Sequence, residues 1–322
     1  MNKFILSSKR IKITHSRKIY YVPQHVLMCG YKEIKLYNLI NSKNLENSKK
    51  TQKNLMSGAF GVILIYKLVF SNDMIIAKIM IGNSKKIQNE INFYNIMKME
   101  DNYNKYICKY YGHFKEKYKG KKYKYLFLEK LEMDLYDYLY NEWDNHNLVG
   151  CIKLLKNICK NLIFVHSHKN GFVYNDLKLE NLMIDNNGDV KLIDFNCVAC
   201  EKLGWEGSGT LEYMSPEMIS SLKNHEVMID KKSDAWSFGL IIYELFTKLH
   251  SPFMSGKKRH ILKNISKNKY NDCDEAKKLF KLNCLLDPNE SILDIFSGCL
   301  KTSCDERLSI DEALEMLNKI KI

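Results

Sequence analysis

Apolar and polar positions change their period near residue 130. Before that point, "GAFGVILIYKLVF", a turn at Ser71-Asn72-Asp73 and "MIIAKIMI" show β-type alternation and predict two or three strands. "SKKIQNEINFYNIMKM" follows, with Ile87, Ile91, Tyr94 and Met97 to Met99 as the apolar stripe of a helix opening at Ser84. Two more strands bracket the lysine-rich "KEKYKGKKYK", which predicts a solvated hairpin tip. From about Asp134 the pattern is helical. "NLVGCIKLLKNICKNLIFVHSH" is a long striped helix closing near Asn170-Gly171, and "SDAWSFGLIIYELFTKL" is apolar enough to be buried on all sides. "SILDIFSGCL" and "SIDEALEMLNKI" end the chain, the latter with Ser309 and Glu312 spaced as a capping box. Residues 1–48 mix basic, polar and short apolar patches and end in "NSKNLENSKKTQKN", which predicts an extension and linker, ordered in part through "KIYYVPQHVLMCGY".

Composition narrows the class. With 322 residues and 45% apolar content, the chain can bury one large or two modest cores. Lys and Arg exceed Asp and Glu by 50 to 37, a formal charge of +13. The excess is mostly scattered Lys, which a compositional bias explains as well as a binding face does, with no stripe of stacking aromatics, so specific nucleic-acid binding is not expected, while general attraction to acidic partners stays open. Ten Cys lack metal-ribbon or disulfide-framework spacing and predict reduced thiols in a cytoplasmic or nuclear compartment; Cys197 and Cys200 in "CVAC" are the pair spaced for a redox switch. The N-terminal apolar core is too short for a signal peptide, and no run of about 18 apolar residues predicts a membrane span.

Candidate chemistry starts at "FVYNDLKLENLMIDNNGDVKLIDFN". Leu182 to Asp185 and Val190 to Ile193 read as strands around the turn Asn186 to Asp189, which brings Asn181 near Asp194. Asp176, Lys178, Asn181 and Asp194 thus converge between apolar runs. Buried carboxylates there require a counter-charge, most economically a metal or a phosphate. Lys78, flanked by Ile76, Ala77 and Ile79, wants an anion, and Glu90 on the following helix is the candidate. In "SGAFGVI", Gly58 and Gly61 lack a Cβ and would let backbone N–H groups approach phosphate oxygens; a tight hairpin explains them equally well.

"YNDLKLEN", with "IDFN" placing Asp194 18 residues after Asp176, resembles the catalytic loop and the D-F-G element of eukaryotic protein kinases. "GTLEYMSPE", "SDAWSFG" and "DERLSIDEAL" resemble later kinase segments in kinase order. The resemblance covers about residues 54–320 and implies an α+β, bilobal protein-kinase-like fold. A small β-rich N-lobe with one main helix would span about 49–130, and a larger helical C-lobe about 131–320. It implies ATP with Mg²⁺ or Mn²⁺ as cofactors and a Ser/Thr hydroxyl of a protein as acceptor. Residue by residue, Lys78 would hold the α- and β-phosphates beside Glu90. Asp194 and Asn181 would bind metal, Asp176 would take the hydroxyl proton, and Lys178 would steady the γ-phosphoryl group. Around adenine the resemblance places Ile63, Ile76 and Met183, with Leu128 behind and the backbone of Glu129 and Leu131 at its edge. Asp134 would reach the ribose. Thr210 would shape the site for an aliphatic hydroxyl, Glu180 stands where some members bind a basic substrate residue, Glu217 would pair with Arg307, and Asp234 would tie the catalytic loop from within the core.

Three departures qualify the resemblance. Met56 stands at the first glycine of the phosphate loop. Asn196 replaces the glycine of D-F-G, where asparagine best tolerates a left-handed backbone. Asn175 replaces the arginine that gathers an activation-loop phosphate, and Glu206 stands near the phosphorylated position, which predicts activity without loop phosphorylation. These departures keep a pseudokinase scaffold as the competing reading, with phosphorylation of a small molecule or lipid as a third.

Overall fold

The computed structural model describes residues 3–15, 18–29, 34–39, 62–71, 73–82, 85–143, 146–201, 207–224, 229–253 and 257–321. Gly58, Gly61, Met56, Ser84 and Glu206 lie outside them. The chain divides into two compact units, one of residues 1–104 and 108–130, the other of 105–107 and 131–322.

The first unit is built on β1 (Lys3–Leu6), β2 (Arg10–His15), β3 (Lys18–Pro23), β4 (His25–Cys29), β5 (Ile34–Leu39), β6 (Val62–Leu68), β7 (Met74–Ile81), β8 (Tyr110–Tyr118) and β9 (Lys121–Glu129), with helix α1 (Lys85–Met97). Seven strands form one antiparallel sheet in the order β1-β4-β5-β6-β7-β9-β8, and β2 and β3 form a separate hairpin. The polar linker run at 41–54 lies outside the described residues, while within the predicted extension residues 3–39 form five strands, three of them in the main sheet. Their apolar residues have a partner surface. Tyr123, Tyr125 and Phe127 alternate along β9 and, with Val62, Leu64, Tyr66, Ile75, Ala77 and Ile79, line one sheet face, which Phe4, Tyr20, Val22, Val26 and Met28 bury. Phe4 stacks on Phe127 with ring centroids 4.2 Å apart. Gly112 makes room for it: at φ +146°, a Cβ there would lie 2.6 Å from the Phe4 ring. Arg10 forks onto Glu116 through two 2.8 Å bonds, and Tyr125 donates to the same carboxylate.

The second unit holds α2 (Leu148–His166), α3 (Pro216–Asn224), α4 (Lys232–Thr247), α5 (Lys258–Lys267), α6 (Cys273–Asn283), α7 (Glu290–Cys299) and α8 (Ile310–Lys319). Short strands β10 (Met133–Asp134), β11 (Phe172–Val173), β12 (Leu182–Ile184), β13 (Val190–Leu192) and β14 (Ala199–Cys200) complete it. α2 starts on an Asn147 side-chain cap and stops at Ser167, a few residues before the expected Asn170-Gly171. α4 is buried from Ser233 to Thr247, as its unbroken apolar pattern requires. α8 begins with the Ser309–Glu312 capping box.

Candidate active site

In the first unit, the sheet face opposite Tyr125 carries Ile63, Lys78 and Leu126 in cross-strand register, with Ile65, Ile76 and Leu128 as the neighbouring row. Lys78 Nζ donates to Glu90 Oε2 at 2.8 Å, and the Glu90 side chain is 1% exposed. A lysine at the centre of an apolar strand is thus neutralised by a carboxylate of α1. The Glu129 N–H donates to the Lys109 carbonyl at 3.0 Å, while its own carbonyl accepts from the Cys108 thiol.

In the second unit, Asp234 near the start of the buried α4 organises the loop after β11. Its Oδ2 accepts from Tyr174 N and pairs with His166 Nε2, and its Oδ1 accepts from Asn175 N, each at 2.8 Å. This double anchor holds Asn175 in a left-handed backbone, φ 67°. Asp176 follows, 8% exposed. Its Oδ1 accepts from the Thr210 hydroxyl at 2.8 Å and its Oδ2 from Asn181 Nδ2 at 3.0 Å. Lys178 Nζ donates to Thr210 Oγ1 at 2.8 Å. Gly209 allows this approach: at φ +137°, a Cβ there would meet the Asn175 carbonyl at 2.8 Å.

The hairpin of β12 and β13 pairs Leu182 with Leu192, and Ile193 N donates to the Asn181 carbonyl at 3.1 Å, which carries Asn181 to the residue beside Asp194. Asp194 takes the left-handed backbone, φ 55°, while Asn196, the residue the sequence suggests for it, does not. Asn196 instead uses its side chain. Its Nδ2 donates to Asp194 Oδ1, and its Oδ1 accepts from the Cys197 thiol. Asn175 Nδ2 donates to the carbonyls of Val173 and Cys197 at 3.1 and 3.2 Å. Sequence reasoning missed both amide contacts, because their signal lies in where the backbone turns. Cys197 is buried and Cys200 is half-buried, both as free thiols.

Asp134, the expected ribose contact, caps the turn at Leu135–Asp137 by accepting from Asp137 N at 2.8 Å, and it pairs with Met183 across β10 and β12. Burial, with Asp137 and Glu180 nearby, pushes its carboxyl up to about 6. Glu244 on α4 is buried against the Tyr213 hydroxyl, 2.8 and 2.9 Å from its two oxygens, and accepts from Ser251 N. Burial, reinforced by Glu180, pushes it up to about 8. Arg307 and Glu217 form a two-bond fork at 2.7 and 2.9 Å. Burial raises the Glu217 carboxyl, but Arg307 outweighs burial and holds it below the usual range.

The donor set fits a hard divalent cation. Asn181 directs its amide hydrogens to Asp176, which leaves its side-chain oxygen available as a donor, and oxygen donors such as this and the Asp194 carboxylate could hold Mg²⁺ or Mn²⁺. Among the described residues no group of three or more His, Cys, Asp and Glu forms a metal cage.

A family model described as the protein kinase domain matches residues 49–317. The rat cGMP-dependent protein kinase 2 is 35% identical over 150 residues, 44% of this chain and 18% of that protein. The human ribosomal protein S6 kinase alpha-4 is 38% identical over 112 residues, 33% of this chain and 14% of that protein. The matched stretches span less than a fifth of either relative.

Proposed function

The chain belongs to the protein kinase family, and from that premise we propose that it transfers the γ-phosphoryl group of ATP to a Ser or Thr hydroxyl of a protein. The observation that carries this reading is the Asp176–Thr210–Lys178–Asn181 network. Both oxygens of Asp176 are engaged by donors, which fixes the plane of the carboxylate that would accept the hydroxyl proton. Lys178 is held beside it through Thr210, placed to offset charge on the transferring group. Thr210 thereby bridges Lys178 and the base, an arrangement suited to an aliphatic hydroxyl. Lys78, oriented by Glu90, would hold the α- and β-phosphates, with Gly58 and Gly61 supplying backbone N–H groups. Ile63, Ile76 and Met183 would enclose adenine, Glu129 and Leu131 would meet its edge, and Asp134 would reach the ribose. Asp194 and Asn181 would hold Mg²⁺ or Mn²⁺, which neutralises phosphate charge during in-line transfer. Positioning and charge compensation are what this chemistry demands.

A reducing intracellular compartment fits the ten free cysteines. No helix among the described residues is long and apolar enough to cross a membrane. The test is transfer of labelled γ-phosphate to a generic protein substrate by wild type, Asp176→Ala and Asp194→Ala. Equal labelling by all three would refute the assignment. Three departures from the kinase pattern, Met56, Asn175 and Asn196, favour a nucleotide-binding scaffold as the second reading. A rise in thermal midpoint with Mg-ATP and no labelling would select that reading.

A further inference from the structure

Between residues 251 and 271 the chain has six Lys or Arg and no Asp or Glu, and three of them, Arg259, Lys263 and Lys267, fall within about 80° on one exposed helix face. On α5, Lys258, Arg259, His260, Lys263 and Lys267 are exposed, as is the preceding Lys257. The opposite face is spent on packing, with Ile261 5% exposed and Ile265 fully buried. Among the described residues, Lys257, Lys258, Arg259 and Lys267 have no carboxylate partner. No acid occupies the first turn either, so three cations crowd the end of the helix where the macrodipole is already positive. Such a face attracts polyanions.

The inner side of α5 packs against α3 and the turn Leu211–Tyr213, which directly follows Thr210. We propose that the basic face of α5 docks an Asp/Glu-rich segment of the protein substrate, close to the residues that would receive its hydroxyl. The word substrate rests on the phosphotransfer reading; the docking itself does not. Two other polyanions fit less well. A bilayer would be met by an amphipathic helix through its apolar side, and here Ile261 and Ile265 face the protein. A nucleic-acid strand would be gripped by aromatics interleaved with the cations, and α5 carries no Phe, Tyr or Trp.

The test uses the full chain and two fluorescein-labelled peptides with the same Ser-containing acceptor segment, one tailed with Glu and one with Gln. Binding is followed by anisotropy at several salt concentrations, and phosphorylation by KM and kcat. The Glu-tailed peptide is expected to bind roughly tenfold more tightly at low salt, an advantage that shrinks as salt screens it. The triple variant K258E/R259E/K263E should erase the advantage while leaving KM and kcat for the Gln-tailed peptide unchanged. The neutralising pair Lys258→Gln and Lys263→Gln should reduce it part way and guards against a misfolded triple variant. Equal binding of the two tails, or an advantage that survives charge reversal, would overturn the proposal. So would preferential binding of an oligothymidylate or of phosphatidylserine vesicles that the same variants abolish. Docking without phosphorylation of either peptide would leave the surface standing and remove the catalytic reading.

Discussion

Replacing Phe4 by Ala tests whether the first 39 residues are part of the small unit's core. Phe4 is 4% exposed and stacks on Phe127 at 4.2 Å. Truncating a buried Phe costs about 3–5 kcal/mol, of which the ring pair contributes about 1. β1 is a four-residue strand at the sheet edge, so the lower end, about 3 kcal/mol, is expected here. The readout must be specific to this unit. Trp143, Trp205 and Trp236 all fall in the other one, so tryptophan fluorescence would miss the effect. Hydrogen exchange on β4, β8 and β9 would register it: a loss of about 3 kcal/mol speeds subglobal exchange by about two orders of magnitude. Gly112→Ala provides the second arm, because its Cβ would collide with the Phe4 ring and sit at φ +146°. Alone it should cost about 2–3 kcal/mol through strain and overpacking. In the double variant the collision is gone, so the combined loss should fall short of the sum by at least about 1 kcal/mol. Additive effects, or protection on β9 unchanged by Phe4→Ala, would show that residues 3–39 are not held against the sheet as described.

Three further outcomes follow from the second unit. Asn196→Gly removes the amide from Asp194 Oδ1; apparent Mg²⁺ affinity, read from the thermal shift in Mg-ATP, should weaken by about tenfold, the scale of lost support to a metal ligand, and an unchanged Mg²⁺ titration would deny Asn196 that role. Arg307→Met strands a carboxylate that now accepts from three donors, Ser233 included. It should cost about 3–5 kcal/mol in urea unfolding, and adding Glu217→Gln should recover part of that; a loss under about 1 kcal/mol would contradict the burial of the pair. Glu244 stays protonated in the folded protein up to about 8, against 4.5 as its ordinary value. Its contribution to stability is therefore fully present below about 4.5 and lost as pH rises toward and through about 8, a loss of up to a few kcal/mol. Glu244→Gln should flatten the fall in thermal midpoint between pH 6 and 8.5, and parallel curves for the two proteins would contradict the shift.

What the sequence revealed depended on whether a residue's partner lay in the same pattern. Lys78 announces a need for an anion because three apolar neighbours surround it, and Glu90 is the acid on the next helix, so that pairing was legible. The bond from Ile193 to Asn181, one residue before Asp194, followed from the lengths of two short strands and one turn, and the Ser309–Glu312 box from local spacing. Residues 3–39 were less legible because runs such as "KFIL" and "RIKITH" are too short to declare a face. The missing clue sat elsewhere, in β9. Tyr123, Tyr125 and Phe127 occupy one side of that strand and Leu126 and Leu128 the other, and a strand apolar on both sides must be covered on both. α1 follows β7 in the chain, so the second cover had to come from a segment not yet placed. The end of the long helix at Ser167, ahead of Asn170-Gly171, and the capping role of Asp134 were set by tertiary contacts with no local signature.

The two asparagines that depart from the kinase pattern look independent in sequence, 21 positions apart. In the structure they act on the same short segment. Asn175 reaches from the Asp234-anchored loop to the Cys197 carbonyl, while Asn196 grips Asp194 and receives the Cys197 thiol. Residues 194–197 are thus tied at both ends by neutral amides. An arginine at position 175 would bring a charge whose compensation had to come from an added phosphate, whereas the Nδ2 donors of Asn175 are met by carbonyls already present, and its buried Oδ1 has no hydrogen-bond partner among the described residues. Glycine at position 196 would leave the Asp194 carboxylate without its amide donor and the backbone with more freedom. These contacts predict that residues 194–197 need no phosphate to be ordered. Phosphatase treatment should leave transfer activity unchanged, and Asn175→Arg should lower it unless a phosphate is supplied to the segment after Asp194. A phosphatase-sensitive wild type would break the chain of reasoning at Asn175.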